Sequence, residues 1–113
     1  MNIQKTDDLS KIFKYRLGVS QSDIETICKK WKIKEMALFG SVLRDDFSDD
    51  SDVDVLLVFT PQHGWNLFDL MDLKSELQSL FNREVDLLPK KELRNPFRRE
   101  EILKTHRIIY EKC

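Results

Sequence analysis

Six of the ten residues from Asp45 to Asp54 are aspartate, and the run DDFSDDSDVD passes without a break into the apolar VLLVF. Clustered like charges repel, and aspartate is a poor strand former. Val55–Phe59 nevertheless has the length and composition of a buried strand. Side chains alternate along a strand, so Asp52 and Asp54 share one face with Cα atoms about 6–7 Å apart. Leu56 and Val58 continue that face, while Val53, Val55 and Leu57 take the other. A strand apolar on both faces lies inside its sheet. Whatever the chain folds into must therefore place two carboxylates at the mouth of an interior strand, where an unpartnered charge is costly.

A third carboxylate repeats the pattern, because Asp86 sits between Val85 and Leu87 in REVDLL. Divalent cations relieve such crowding, and hard oxygen donors suit Mg²⁺, which completes its shell with water and phosphate oxygens. Three carboxylates from two strands suit a site with two metal ions for phosphoryl transfer. Ahead of the acidic run stands FGSVLR. Gly40 permits close backbone approach after a strand. Ser41 opens a short helical turn whose free amides can hold phosphate, and Arg44 can meet a phosphate oxygen. A DxD pair alone is also what a solvated acidic loop looks like. The strand, the glycine-serine turn and the later aspartate together favour a site at Asp52, Asp54 and Asp86. Asp45, Asp46, Asp49 and Asp50 read as solvated loop charge.

The remaining sequence predicts an α/β (α+β) domain, a small mixed sheet of three or four strands packed with helices. At 113 residues there is room for one core. Residues 1–19 read as an N-terminal arm with a helical segment from Asp8 to Leu17, and residues 20–113 as the domain. Ser20 or Ser22 caps a helix carrying Ile24, Ile27, Cys28 and Trp31. IKEMALFG is a strand, Ser41–Asp46 one or two helical turns, Phe47–Ser51 a loop and Asp52–Phe59 a strand. Asn66 with Asp69 opens a helix with Leu67, Leu70, Met71, Leu77, Leu80 and Phe81 on one face. REVDLL is the third strand, and NPFRREEILKTHRIIYE a last helix entered at Pro96, with Ile102, Leu103, His106 and Ile109 at helical spacing.

Nineteen Lys and Arg against 20 Asp and Glu leave a net charge of −1, so no basic excess signals DNA binding. No apolar run is long enough for a membrane span. Two cysteines fit a reducing compartment, and a cytoplasmic location is expected.

GS followed after ten residues by DVD matches the GSx10DxD signature of the DNA polymerase β-like nucleotidyltransferases. FGSVLRDDFSDDSDVDVLLVF resembles the minimal nucleotidyltransferase branch, the MntA-type antitoxins, and the similarity runs through residues 20–111. The resemblance implies that Gly40 and Ser41 hold the nucleotide triphosphate with Arg44 assisting. It implies that Asp52 and Asp54 bind two Mg²⁺ ions and that Asp86 completes the triad. Asp45 replaces the glycine frequent after the family's arginine. The family pairs with HEPN-domain RNase toxins, and some members transfer AMP from ATP to a toxin tyrosine. The expected partners are therefore a nucleoside triphosphate and a HEPN toxin, in an oligomer or hetero-complex.

Two other readings stay open at this point. The chain could neutralise a partner by occlusion, with vestigial nucleotide binding, or it could bind cations for structure alone. His63 reads as a loop residue, His106 as packing against a helix, and Cys28 as core. Trp65 and Phe68 read as helix-end packing or as platforms for a base. Arg98 and Arg99, with Lys90, Lys91, Arg94 and Lys104, read as a solvated face or as a contact for triphosphate, RNA or an acidic partner.

Overall fold

The structure, a computed structural model, describes residues 11–48 and 50–112. Three α-helices and four strands follow one another as α1 (Gln21–Lys30), β1 (Ile33–Phe39), β2 (Val53–Phe59), α2 (Leu67–Phe81), β3 (Val85–Pro89), α3 (Pro96–Thr105) and β4 (Arg107–Glu111). A π-helical segment, Ile12–Leu17, precedes α1, and 3-10 turns occupy Gly40–Leu43 and Lys90–Glu92. No described helix is long and apolar enough to cross a membrane.

The helix starts follow from local chemistry. Ser20 and Asp23 form a reciprocal capping box at α1, and Asn66 and Asp69 form one at α2. Asn95 caps α3 by accepting from the amides of Phe97 and Arg98, with Pro96 in the first turn. α2 ends at Asn82, which takes the left-handed conformation at φ 55°.

The sheet order is β3-β2-β1-β4. β1 runs antiparallel to both β2 and β4, whereas β2 and β3 are parallel and need the crossover that α2 supplies. β2 is thus interior, as its two apolar faces demand. Alternation along the strands divides the core into two layers. Met36, Leu38, Val53, Val55, Leu57 and Val85 pack with α1 and α2, while Ala37, Phe39 and Leu56 pack with Leu93, just after the Lys90–Glu92 turn, and with Ile102 of α3. Ile12, Phe13, Leu17 and Val19 also join the first layer, so the described part of the N-terminal segment lies on the core. Residues 8–10 of its expected helix fall outside the described residues. α1 and α2 are tied by Glu76, which accepts from Lys30 Nζ and from Trp31 Nε1, each at 3.0 Å.

The expected last helix is corrected. It stops at Thr105, and His106 turns to φ −62°, ψ 156° as β4 begins. Ile109 is buried as a strand residue, not as a helical one. RIIYE is rich in β-branched and aromatic residues, and the unpaired edge of β1 gives them a ladder, with Met36 opposite Tyr110 and Ala37 opposite Ile108. The helical spacing reaching Ile109 was a coincidence of short apolar runs. Asp52 is also corrected by one residue: β2 opens at Val53, and Asp52 is the last loop residue.

Leu77 is wholly buried between α2 and the sheet. Leu77→Ala is expected to cost about 2–5 kcal/mol of unfolding free energy. The check is a fall in the urea midpoint with an unchanged m-value.

Candidate active site

The C-terminal end of β1 and the N-terminal ends of β2 and β3 meet at one edge of the sheet. Phe39 pairs with Asp54 across the antiparallel ladder, and Asp54 pairs with Asp86 across the parallel one. Register partners on neighbouring strands point to the same face about 4.8 Å apart, so Asp54 and Asp86 stand side by side. That face is the α3 face, since Asp54 alternates with Val53 and Val55 and shares its side with Leu56. Val53 N–H donates to Glu84 O at 2.9 Å and extends the ladder to the loop edge.

Gly40 is the residue that closes this arrangement. Its φ is +78°, and a Cβ there would overlap Asp54 Oδ2 and stand 3.2 Å from Asp54 Cγ. Backbone conformation and lack of space therefore both demand glycine. The 3-10 turn Gly40–Leu43 begins directly beside the Asp54 carboxylate, and the first amides of such a turn have no acceptor within it. Ser41 Oγ lies 3.5 Å from the carbonyl of Asp52, at the outer limit of hydrogen bonding.

Burial pushes the Asp54 carboxyl above its ordinary range, and the charges of Asp86 and Asp52 push it the same way. The guanidinium groups of Arg44 and Arg98 act in the opposite direction. Asp52 and Asp86 are exposed. Among the described residues no three His, Cys, Asp or Glu side chains stand close enough together to hold an ion as placed. The fold fixes the backbone positions of the three carboxylates, and rotation of the two exposed side chains changes their separation. Their chemistry, three hard oxygen donors on one sheet end, fits Mg²⁺.

Of the residues expected from sequence, Gly40, Ser41, Asp52, Asp54 and Asp86 gather at this edge. Arg44 follows the turn, where its Nε meets Asp46 Oδ1 at 3.2 Å, so Asp46 is a partner rather than free loop charge. Asp49 lies outside the described residues, as does Cys113. His63 stacks on Phe59, and His106 Nδ1 lies 2.9 Å from Leu103 O at the end of its own helix. Trp65 packs on Trp31 and donates to its carbonyl, whereas Phe68, in the first turn of α2, is exposed. Cys28 is core, and burial pushes its thiol up to about 12.

Two arginines that the sequence reading did not single out hold the loop. Arg16 Nη1 donates to the carbonyls of Val42 and Arg44, each at 2.6 Å. Arg83 Nη1 donates to Ser48 O at 2.8 Å and Ser51 O at 3.1 Å. Both guanidinium groups lie over the Phe47 ring, at 5.3 and 4.2 Å from its centroid. The acidic loop is held by these two cations from segments far away in sequence, which no local spacing announces. Arg98 was visible only as part of a basic run, yet its charge reaches Asp54 from the first turn of α3.

Gly40→Ala is expected to cost about 1–2 kcal/mol through its left-handed backbone, and to displace the Asp54 carboxylate. A lower urea midpoint together with a shifted Asp54 signal in carboxyl NMR checks both. Asp54 also gives stability a pH dependence. A carboxyl whose folded value is raised binds its proton more tightly when folded, so stability falls as pH rises from the ordinary carboxylate range through the raised value. Asp54→Asn is expected to remove that fall, giving the metal-free variant the higher urea midpoint at neutral pH in a series from about pH 4 to 8.

Comparison with known proteins extends this geometry. Residues 22–109 match the nucleotidyltransferase domain family. "Putative protein adenylyltransferase MJ1379" of Methanocaldococcus jannaschii is 32% identical over 73 residues, covering 65% of this chain and 73% of that protein. A toxin–antitoxin crystal structure with AMP-PNP superposes with a TM-score of 0.67 at 16% identity, over 83% of this chain and 75% of the other. A tri-AMPylated HEPN toxin of Shewanella oneidensis in complex with MNT antitoxin gives 0.59 at 16% identity, over 81% and 70%. At such identities the two structures speak for the fold. The sequence match spans most of the chain, and the chain belongs to the nucleotidyltransferase domain family.

Proposed function

We propose that this nucleotidyltransferase transfers a nucleoside monophosphate, AMP from ATP, to a hydroxyl of a partner protein in a Mg²⁺-dependent reaction. The observation that carries the reading is the register row Phe39, Asp54, Asp86 across three adjacent strands, with Gly40, the residue after β1, packed against the Asp54 carboxylate. A phosphate seat and paired carboxylates on one sheet edge are what in-line displacement at a phosphorus atom requires. The amides of the Gly40–Leu43 turn would seat the β- and γ-phosphates, and Ser41 Oγ would add a donor. Arg44, released from Asp46, would pair with a phosphate oxygen.

Asp52, Asp54 and Asp86 would hold the metal ions, with Asp86 on the side of the incoming hydroxyl. Two Mg²⁺ ions, when bound, lower the pKa of the attacking hydroxyl and stabilise the leaving pyrophosphate. The close approach of Gly40 keeps the Asp54 carboxylate beside the phosphate seat, so that donor and charge are aligned before substrate arrives. Arg98 adds a positive charge on the α3 face of the site, on the side opposite the turn.

The acceptor is read as a HEPN-domain toxin and the chain as its antitoxin. Support comes from the relative named as an adenylyltransferase and from fold neighbours solved as toxin–antitoxin complexes, one with an AMPylated HEPN toxin.

The test is incubation of the protein with ATP labelled at the α-phosphate, Mg²⁺ and a purified HEPN toxin partner. Label is expected on the toxin with wild type and is expected to fall by about a hundredfold or more with Asp52→Ala, Asp54→Ala. If wild type transfers no label and the double variant still neutralises the toxin, the protein acts by occlusion and the enzymatic reading is lost.

A further inference from the structure

A second concave site lies at the far end of β2. A cleft of about 500 Å³ opens between the loop that follows β2 and the Lys90–Glu92 turn, with Arg99 of α3 on its rim. That volume is within the range of small-molecule pockets, about 300–1,000 Å³. From Asp54 to Val58 is four residues, or about 13 Å along the strand. Between them Leu56 is buried with Leu93 and Ile102. None of Gly40, Ser41, Asp52, Asp54 and Asp86 lines the cleft.

Its two sides differ in chemistry. One is an aromatic wall, where the His63 ring lies against Phe59 with centroids 4.9 Å apart. Gln62, at φ 59°, turns the loop so that His63 folds back over the strand end. The amide of Trp65 donates to His63 Nδ1 at 2.9 Å. Nδ1 is thus the acceptor, and the neutral ring carries its proton on Nε2 as a donor. The other side is cationic. Lys90, Lys91 and Arg99 line it. Lys90 Nζ stands 3.7 Å from Glu35 Oε2, a loose pair. Arg99 uses one of its guanidinium donors on Leu93 O at 3.3 Å, leaving the rest of its fork. Lys91 is exposed and has no ion-pair partner among the described residues. Three cations thus line the cleft, beside an apolar ring surface and Thr60, and no carboxylate is among its lining residues.

We propose that this cleft is a second binding site, taking a phosphate-bearing aromatic molecule of nucleotide size. The ring lies against the Phe59–His63 wall, where stacking is tolerant of base identity. The phosphate accepts from Lys91, Lys90 and the Arg99 fork, whose planar donors match phosphate oxygens. A bare inorganic anion leaves the aromatic wall unused, and an uncharged ring leaves the cations unpaired. Only a molecule carrying both groups satisfies both sides. The inference stands on this cleft alone and does not depend on nucleotidyl transfer at Asp52, Asp54 and Asp86.

The experiment is titration of the full-length ¹⁵N-labelled protein with AMP, in EDTA so that no metal bridges the carboxylates. Saturable shifts are expected at Thr60, Gln62, His63, Lys90 and Lys91. Lys91→Glu, at an exposed position whose spectrum verifies the fold, is expected to weaken binding about tenfold, and His63→Ala by a similar factor. Asp52→Ala, Asp54→Ala is expected to bind AMP as wild type does. Adenosine and inorganic phosphate are each expected to bind at least about tenfold more weakly than AMP. Shifts confined to Gly40–Leu43 and Asp54, or unchanged binding in Lys91→Glu, overturn the site. Phosphate binding as tight as that of AMP overturns the aromatic half of the assignment.

Discussion

The candidate chemistry depends on the register of β2. β2 is paired on both sides, antiparallel to β1 and parallel to β3, and its second residue meets Phe39 on one neighbour and Asp86 on the other. A slip of one residue would turn Asp54 into the layer occupied by α1 and α2, and Val53 and Val55 out of it. Burial of Val53, Val55 and Leu57 under those helices therefore secures the position of the carboxylate on the opposite face. The apolar core and the acidic edge are two readings of the same alternation.

This arrangement runs against the ordinary preference of a fold. Asp54 is partly desolvated, lies next to two like charges, and is approached by the backbone of Gly40. A chain selected only for stability would place a neutral residue there. The cations available nearby, Arg44 and Arg98, moderate the field without covering the carboxylate, and their moderation leaves its proton affinity raised. Local strain of this kind, concentrated where three strand ends meet, is the physical mark that separates Asp54 from the aspartates of the loop before it.

Much of this was legible because it is local. The capping pairs Ser20 with Asp23 and Asn66 with Asp69 are three residues apart, and Pro96 after Asn95 marks a helix start by itself. The alternation around Asp54 and the spacing from Gly40 to Asp52 lie within one short segment. What failed was non-local. Ile108, Ile109 and Tyr110 form a strand because β1 has a free edge, and that edge lies some seventy residues earlier in the chain. Arg16 and Arg83 reach the acidic loop from sequence separations of 26 to 35 residues. Neither has a spacing that distinguishes it from an ordinary surface arginine. The register of Asp86 against Asp54 is likewise non-local, set by the parallel pairing of β3 with β2.

The manner in which Arg16 and Arg83 hold the loop has a consequence for how freely that stretch can change. Among their hydrogen bonds are those to main-chain oxygens of Val42, Arg44, Ser48 and Ser51, and their flat faces rest on Phe47. A carbonyl is present whatever the side chain, so the grip does not read the identity of positions 45, 46 or 50. Positions 45 and 50 are open to drift in size and charge while the path of the chain stays the same. Phe47 is not, because it is the only ring both guanidinium groups share among the described residues. Tolerance in this segment is therefore expected to be punctuated, wide at positions 45 and 50 and narrow at a single aromatic one.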